Sequence, residues 1–311
     1  MGIRHGKKVL VTGGAGYLGA RIGESLVTHG YDVDLGSRNP FAHGAVEGCN
    51  QIFTNWDDPE LSFCKGYDLM IHAAGMNAHE CGKNPQLAIE FNGEITERLV
   101  KKAASYGCKS FFYLSTVHVY KSPLSGRFNE KSANLNTHPY ATSHLLGEQA
   151  LVRITKDSLM QGHVLRLSNC FGYPLTQEND CWGLVLNEFI RDAFRLGRIT
   201  IRGDYFGRRD FLPISELNRI LIKIVGITDF IPEIINISTG TSLTLLEVAG
   251  QVSNVITEMT GKPVEIIKEN IWENSYELNI ENNSLHDMGI VPSSALTEEI
   301  KLMLEFLACQ V

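Results

Sequence analysis

Short apolar runs alternate along the first half of the chain with segments in which apolar residues recur every three or four positions. The apolar runs, each predicted to be a buried strand, are residues 8–12, 31–35, 51–54, 67–75, 109–115 and 163–168. Helical spacing is found in residues 17–30, 85–106 and 139–156. Apolar strands that alternate with helices favour a parallel sheet covered on both faces. The pattern therefore predicts an α/β fold with a doubly wound parallel sheet.

The pattern becomes less regular after residue 169. Residues 171–183 are rich in turn formers, and helical patterns follow near residues 184–196, 217–225, 244–259 and 296–307. We expect a first domain over residues 1–173, together with part of 209–239. Residues 174–311 are predicted to form mainly a smaller α/β region that shares a cleft with the first domain.

Composition and charge narrow the class of protein. Of the 311 residues, 43% are hydrophobic and 20% charged, which is typical of a globular chain. The net charge of -7 argues against a nucleic-acid-binding surface, which needs a basic face. No apolar run approaches membrane-spanning length and the N-terminus enters a strand pattern directly, so we expect a cytoplasmic protein that does not enter a membrane. The seven cysteines lack a CxxC pair and are expected to be reduced thiols without a metal.

A glycine-rich segment, VTGGAGYLG, lies between the first predicted strand and the first predicted helix. It places Gly13, Gly16 and Gly19 at the turn, and Tyr17 and Leu18 at the start of the helix. A dinucleotide pyrophosphate requires close approach of the backbone, a turn open to positive φ, and a helix N-terminus with free N–H groups. The segment therefore predicts a dinucleotide-binding site formed by these five residues.

The end of the second predicted strand bears on the choice of dinucleotide. An acidic residue there favours NAD(H), whereas hydroxyl groups and arginine favour the 2′-phosphate of NADP(H). Ser37 and Arg38 occupy this position, so NADP(H) is favoured. Asp34, slightly earlier in the strand, keeps NAD(H) open.

Several further motifs occur in the order found in one protein family. They are the pair Asp57–Asp58, HAAG (72–75), Asn92, STVHVY (115–120), PYATSH (139–144), RLSNCFG (166–172) and RRDFLPISEL (208–217). Together with the glycine-rich segment, they resemble the extended short-chain dehydrogenases/reductases. The resemblance covers most of the chain and implies a Rossmann-type fold. It also implies NAD(P)-dependent epimerase, dehydratase or reductase activity on a nucleotide-linked sugar.

The resemblance assigns catalytic roles to three residues. Thr116 matches the family's serine or threonine, which hydrogen-bonds the reacting oxygen, and Tyr140 matches the acid/base tyrosine. The residue four positions after the tyrosine is lysine in the family, where it binds the nicotinamide ribose and holds a positive charge near the phenol. This chain has His144 there, on the same helical face as Tyr140.

The histidine leaves three interpretations open. His144 in its cationic form replaces the lysine in an enzyme that favours mildly acidic pH; neutral His144 joins a proton relay through the ribose; or the site is weakened and the protein binds without turnover. Imidazole has an ordinary pKa near 6.5, so its charge at neutral pH depends on its surroundings.

The resemblance also implies contacts around the cofactor and the substrate. The cofactor would lie against Ala73, Ala74, Gly75 and Ser115, with Asn92 steadying the central strands and Asp57 accepting from the adenine amino group. An exposed acidic pair is equally typical of a helix start. The substrate would contact His118, Asn169, Asn187 and Arg209, the last of which suits a diphosphate.

Two positions depart from the family. Leu184 stands where many members have an asparagine near the sugar diphosphate, and residues 271–283 lack the arginine that many members direct at the nucleotide. We therefore expect an epimerase or keto-sugar reductase on a nucleotide sugar, or else a dinucleotide-binding regulatory subunit that has lost catalysis. We also expect a homodimer, because helices 85–106 and 139–156 commonly pair in the family.

Overall fold

The computed structural model describes residues 6–39, 46–176, 179, 181–204, 206–228, 230–272 and 276–309. The strands are β1 (Lys8–Thr12), β2 (Asp32–Ser37), β3 (Asn50–Phe53), β4 (Leu69–His72), β5 (Ser110–Thr116), β6 (Gly126–Phe128), β7 (Gln161–Leu167), β8 (Asn169–Phe171), β9 (Arg198–Asp204), β10 (Arg208–Pro213), β11 (Ile234–Ile237), β12 (Ser242–Thr244), β13 (Glu265–Trp272) and β14 (Leu278–Ile280). The helices are α1 (Tyr17–Thr28), α2 (Ala78–Lys83), α3 (Pro85–Ala88), α4 (Thr96–Ser105), α5 (Pro139–Lys156), α6 (Val185–Leu196), α7 (Ile214–Gly226), α8 (Leu245–Thr260), α9 (Asn283–Asp287) and α10 (Leu296–Ala308). A π-helical segment, Ile89–Ile95, joins α3 to α4.

The main sheet confirms the predicted fold class. Its strands run parallel in the order β3-β2-β1-β4-β5-β7-β11. The chain moves outward from β1 through β2 and β3 on one side, and from β4 onward it continues on the other. Ligands of such sheets bind in the crevice at the carboxyl ends of the strands, where the order reverses. The topology therefore predicts a ligand site at the loops after β1 and β4.

Both faces of this sheet are covered, which accounts for the apolar character of its strands. On one face, Val9 and Val11 of β1 belong to a buried cluster with residues of α1 and α7. On the other, Leu10 belongs to a cluster with residues of α4 and α5. Alternate residues of a strand point to opposite faces. Because both faces are buried, each strand reads as a continuous apolar run.

The C-terminal half of the chain contributes to both parts of the molecule. After β10, α7 packs against α1, and β11 joins the main sheet beside β7. Apolar residues of α6, α8 and α10 form a separate buried cluster with residues of β9 and β10. Helix α2 and the short parallel pair of β6 and β14 lie in segments where we predicted no element. None of the helices in the described ranges has both the length and the apolar character needed to cross a membrane.

Candidate functional site

A cleft with a volume of about 500 Å³ opens at the carboxyl edge of the main sheet. Its walls come from the glycine-rich turn after β1, the loop after β4, the end of β5, the start of α5, the segment around β8 and the start of α6. This volume lies within the usual range for ligand sites. The position matches the one expected from the reversal of strand order.

The glycine-rich turn forms one end of the cleft. Gly13 has φ of +72°, and a Cβ built on it would lie 2.7 Å from the Ala74 backbone nitrogen. Gly19 packs directly against the carbonyl of Gly13, in space that a side chain would fill. Gly16 precedes α1 and has no side chain to cap the helix, whose first N–H groups have no partner within the helix, and Tyr17 and Leu18 line the cleft. The glycines allow close approach to the backbone and the helix N-terminus offers N–H groups, so this cradle fits a dinucleotide pyrophosphate.

Thr116 and Tyr140 meet in the middle of the cleft. Thr116 ends β5, while Tyr140 lies in the first turn of α5 because His138 accepts its N–H at 3.2 Å and Pro139 occupies the first helical position. Their side chains are close enough to interact, and the Thr116 hydroxyl accepts the His118 N–H at 3.2 Å. Burial raises the pKa of Tyr140, although the neighbouring Thr116 hydroxyl acts in the opposite direction. The phenol is therefore protonated at neutral pH.

His144 lies one turn further along α5, where it contacts Tyr140 and also Tyr113 of β5. Its ring packs edge-on against Tyr140, with centroids 4.6 Å apart, and its Nδ1 lies 2.9 Å from the Tyr113 hydroxyl. Only 7% of the residue is exposed, and burial lowers the pKa of His144 to about 4. The imidazole is therefore neutral at pH 7, which disfavours the interpretation that a cation replaces the family's lysine.

Two of the predicted substrate contacts line the cleft and a third lies near them. His118 and Asn169 are on the cleft wall, where they are close enough to interact, and Arg209 is near His118. Burial lowers the pKa of His118, and the charge of nearby Arg209 acts in the same direction. Arg209 is half-buried in β10, where its Nη1 lies 3.4 Å from the Gly207 carbonyl oxygen. Within the described residues this is the one hydrogen bond that its guanidinium makes, so donors remain for a phosphate, although Asp204 and Tyr276 lie near enough to influence its charge.

Two predicted contacts lie behind the cleft wall. Asn187 is fully buried, and its amide donates to the Gly172 carbonyl at 3.0 Å and accepts the Gly172 N–H at 3.1 Å. Asn92 accepts the Met76 N–H at 2.8 Å and donates to Ser143 at 3.1 Å. Both amides are bonded to protein groups and support the wall. This is the kind of role predicted for Asn92, whereas Asn187 was predicted to contact the substrate.

Ala73, Gly75 and Ser115 lie on the cleft wall as predicted, and Ala74 follows Ala73 in the same loop. The Ser115 hydroxyl donates to buried Glu148 at 2.5 Å. This bond ties β5 to α5 and occupies the hydroxyl proton of Ser115.

The predicted adenosine end of the site is open to solvent. Ser37 is half-buried and accepts the Asn39 N–H at 3.2 Å, while the exposed Arg38 guanidinium lies 5.7 Å from the centre of the Phe91 ring. Asp57 is exposed, and its own N–H bonds the Asn55 side chain at 3.1 Å. The neighbouring Asp58 accepts backbone N–H groups before the short helix Ser62–Cys64, as expected for a helix start.

Asp34 is not available to a ribose. It is 5% exposed and accepts hydrogen bonds from Tyr67 at 2.5 Å and Asn50 at 2.9 Å, with the Lys8 ammonium 3.2 Å away. Burial acts to raise the pKa of Asp34, but these three partners outweigh it and lower the pKa.

Several residues of the site carried no sequence pattern that predicted them. Met76, Asn77 and Glu80 line the cleft from the start of α2, which carried no recognised pattern. Tyr113 was missed because it lies in an apolar strand. The available signal was its hydroxyl, since a buried tyrosine needs a hydrogen-bond partner.

Comparisons with known proteins agree with this geometry. Residues 9–238 match the profile of the NAD dependent epimerase/dehydratase family. The putative UDP-glucose 4-epimerase of Methanocaldococcus jannaschii is 25% identical over 309 residues, covering 96% of this chain and 98% of the relative. The solved UDP-glucose 4-epimerase of Thermotoga maritima with UDP-glucose superposes with a TM-score of 0.82 at 22% identity, covering 97% of this chain and 99% of that one. The UDP-glucuronic acid 4-epimerase of Bacillus cereus in complex with NAD gives 0.79 at 19% identity, with coverages of 97% and 99%. At these identities, the structural likeness shows a shared fold.

Proposed function

The chain belongs to the NAD dependent epimerase/dehydratase family, and we propose that it interconverts an alcohol and a ketone on the sugar of a nucleotide sugar. The observation that carries the proposal is that Thr116 and Tyr140 line the same cleft as the pyrophosphate cradle, with their side chains close enough to interact. When bound, the nicotinamide would accept a hydride from a sugar carbon or return it.

The residues of this chain would supply the proton chemistry. In the oxidative direction the sugar hydroxyl would give its proton to the deprotonated Tyr140 phenolate, and in the reductive direction protonated Tyr140 would give its proton to the ketone oxygen. Thr116 would align that oxygen through its own hydroxyl. His144 would hold the nicotinamide ribose, while His118, Asn169 and Arg209 would contact the sugar diphosphate.

The Tyr140→Phe variant tests this assignment. It keeps the ring against His144 but removes the proton donor, so turnover of UDP- and dTDP-sugars should fall by about 10²- to 10⁴-fold while dinucleotide binding persists. Tyr106→Phe is the matched control, because its hydroxyl donates to the Glu60 carbonyl on the protein surface, away from the cleft. Equal activity of Tyr140→Phe and the wild type would overturn the assignment.

We propose NADP(H) as the preferred cofactor. The support is that Ser37 ends β2 and Arg38 follows it, where a 2′-phosphate would lie, while Asp34 is occupied by Tyr67, Asn50 and Lys8. NAD(H) is the alternative, since the Bacillus cereus protein of the same fold is described in complex with NAD.

The identity of the bound dinucleotide also distinguishes two alternative reactions. An epimerase returns the hydride to the same substrate and can retain NAD(H), whereas a keto-sugar reductase consumes NADPH at each turnover, and Ser37–Arg38 favours the second. Mass spectrometry of the dinucleotide released on denaturation distinguishes them. Stoichiometric NAD(H) would point to epimerisation and refute the NADP(H) preference. NADP(H) or an empty site would support the reductase. Dinucleotide binding without turnover of any nucleotide sugar would instead favour a regulatory subunit.

We also propose that the chain forms a homodimer through the surface of α3 and α5. Leu87 and Leu146 are 48% and 41% exposed on these helices. Sedimentation of the wild type should therefore give a dimer, and Leu146→Glu should give a monomer. A monomeric wild type would refute this arrangement.

A further inference from the structure

Five buried polar side chains lie in a row from the end of β1 to the cleft. Thr12 Oγ1 lies 2.6 Å from His72 Nδ1, and His72 Nε2 lies 3.0 Å from Thr96 Oγ1. Thr96 lies near Tyr113, whose hydroxyl is 2.9 Å from His144 Nδ1 and 3.4 Å from the Asn92 carbonyl oxygen. Thr12, His72, Thr96, Tyr113 and His144 are all at least nine-tenths buried.

The protons of these groups can be placed from the distances. Thr12 donates to His72 Nδ1 and His72 Nε2–H donates to Thr96, because within the described ranges the Thr12 hydroxyl has His72 as its only hydrogen-bond partner and a buried donor without an acceptor is destabilising. The Tyr113 hydroxyl has two acceptors within reach, His144 Nδ1 at 2.9 Å and the Asn92 carbonyl oxygen at 3.4 Å. The second distance exceeds the usual O–H···O range, so the Tyr113 proton is assigned to His144 Nδ1. This assignment leaves Nε2 as the protonated nitrogen of the neutral His144 ring.

On the basis of the function proposed above, we propose that Tyr113 is a positioning residue that holds His144 as the neutral tautomer with Nε2–H directed at the cleft. Neutral imidazole has one donor and one acceptor nitrogen, and the partner of one nitrogen decides the role of the other. His144 would thereby give the nicotinamide ribose a hydrogen-bond donor without a positive charge.

The surrounding packing fits this role. Tyr113 stacks on His72 with ring centroids 5.6 Å apart and an interplanar angle of 22°. Gly147 lies in the interior of α5, and a Cβ built on it would be 2.8 Å from the Tyr113 hydroxyl oxygen. A glycine inside a helix is destabilising relative to alanine, so its presence indicates a packing requirement. Here the missing side chain leaves room for the phenol beside the helix. On the cleft side, His144 Cε1 would lie 3.7 Å from a Cβ built on Gly75, so the ring packs near that glycine.

Nitrogen NMR of protein labelled with ¹⁵N-histidine tests the proposal without cofactor or substrate. Long-range ¹H–¹⁵N spectra distinguish protonated from unprotonated ring nitrogens, and His144→Gln assigns the signal. The wild type should show protonated Nε2 and unprotonated Nδ1. Tyr113→Phe, which keeps the ring, should shift this pattern towards the other tautomer, and Gly147→Ala should shift it in the same direction by displacing the hydroxyl.

Dinucleotide affinity supplies the second measurement. Tyr113→Phe should bind NADPH or NADH roughly tenfold more weakly, which corresponds to the loss of one oriented hydrogen bond. Tyr67→Phe is the matched control, because it removes another buried tyrosine hydroxyl, which bonds Asp34. A wild-type His144 protonated at Nδ1, or a tautomer unchanged in Tyr113→Phe, would overturn the proposal. If the NMR pattern is as expected but the wild type binds no dinucleotide, the proposed function fails instead.

Discussion

Replacing His144 with the lysine found in the family tests whether a positive charge at this position controls the pKa of Tyr140. The ring centres of His144 and Tyr140 are 4.6 Å apart. A unit charge at that distance, with an effective dielectric constant of about 20, interacts with a phenolate by about 3.6 kcal/mol, or roughly 2.6 pKa units. Burial raises the pKa of Tyr140 and lowers that of His144 to about 4, so the wild type has no such stabilisation near pH 7. The ammonium of His144→Lys should therefore lower the pKa of Tyr140 by about two units.

The expected result is a shift of the pH profile. In the oxidative direction Tyr140 must be deprotonated, so the rise of kcat/KM with pH should occur about two units lower in His144→Lys than in the wild type, with a gain of activity at pH 7. The measurement is the initial rate of nucleotide-sugar oxidation across neutral and alkaline pH. His144→Gln, which is neutral, should keep the wild-type profile. A His144→Lys protein that binds dinucleotide normally but retains the wild-type profile would refute the reasoning.

Three further predictions concern the cradle, the sheet and acid stability. Gly13→Ala should abolish calorimetrically detectable dinucleotide binding, because its φ is +72° and the new Cβ would lie 2.7 Å from the backbone of the loop after β4; retained binding would contradict the cradle. Arg166→Met should lower the free energy of unfolding in urea by roughly 3–5 kcal/mol, because it leaves Glu148 buried without its 2.6 Å partner; the added Glu148→Gln change should recover part of this loss. The lowered pKa of Asp34 implies a contribution to stability that is complete above its unfolded pKa of about 3.9 and is lost as pH falls through the folded value. Asp34→Asn should therefore make thermal stability less sensitive to pH in that acid range, and an unchanged acid dependence would count against it.

Much of the fold follows from local patterns. The apolar runs predicted β1, β5 and β7 to within two residues, and the Pro139 start of α5 was predicted at its observed position. Such patterns are readable because a strand buried on both faces must be apolar throughout and a helix must repeat every 3.6 residues. The glycine spacing and the Tyr140–His144 spacing are likewise local. Their geometry depends on one turn and one helix.

The properties that decide the chemistry depend on contacts between distant parts of the chain. By its residue type alone, His144 could be charged or neutral at physiological pH; its burial beside Tyr113, 31 positions earlier, makes it neutral. The side chain of Asn187 is of a type that could bind a ligand, but both ends of its amide are hydrogen-bonded to the Gly172 backbone. The sequence by itself therefore determined the fold class and the convergence of the glycine-rich turn, Thr116, Tyr140 and His144 on one cleft. Only the tertiary structure decided which of them carry charge or free donors, because desolvation and hydrogen bonding are set by neighbours that sequence spacing does not reveal.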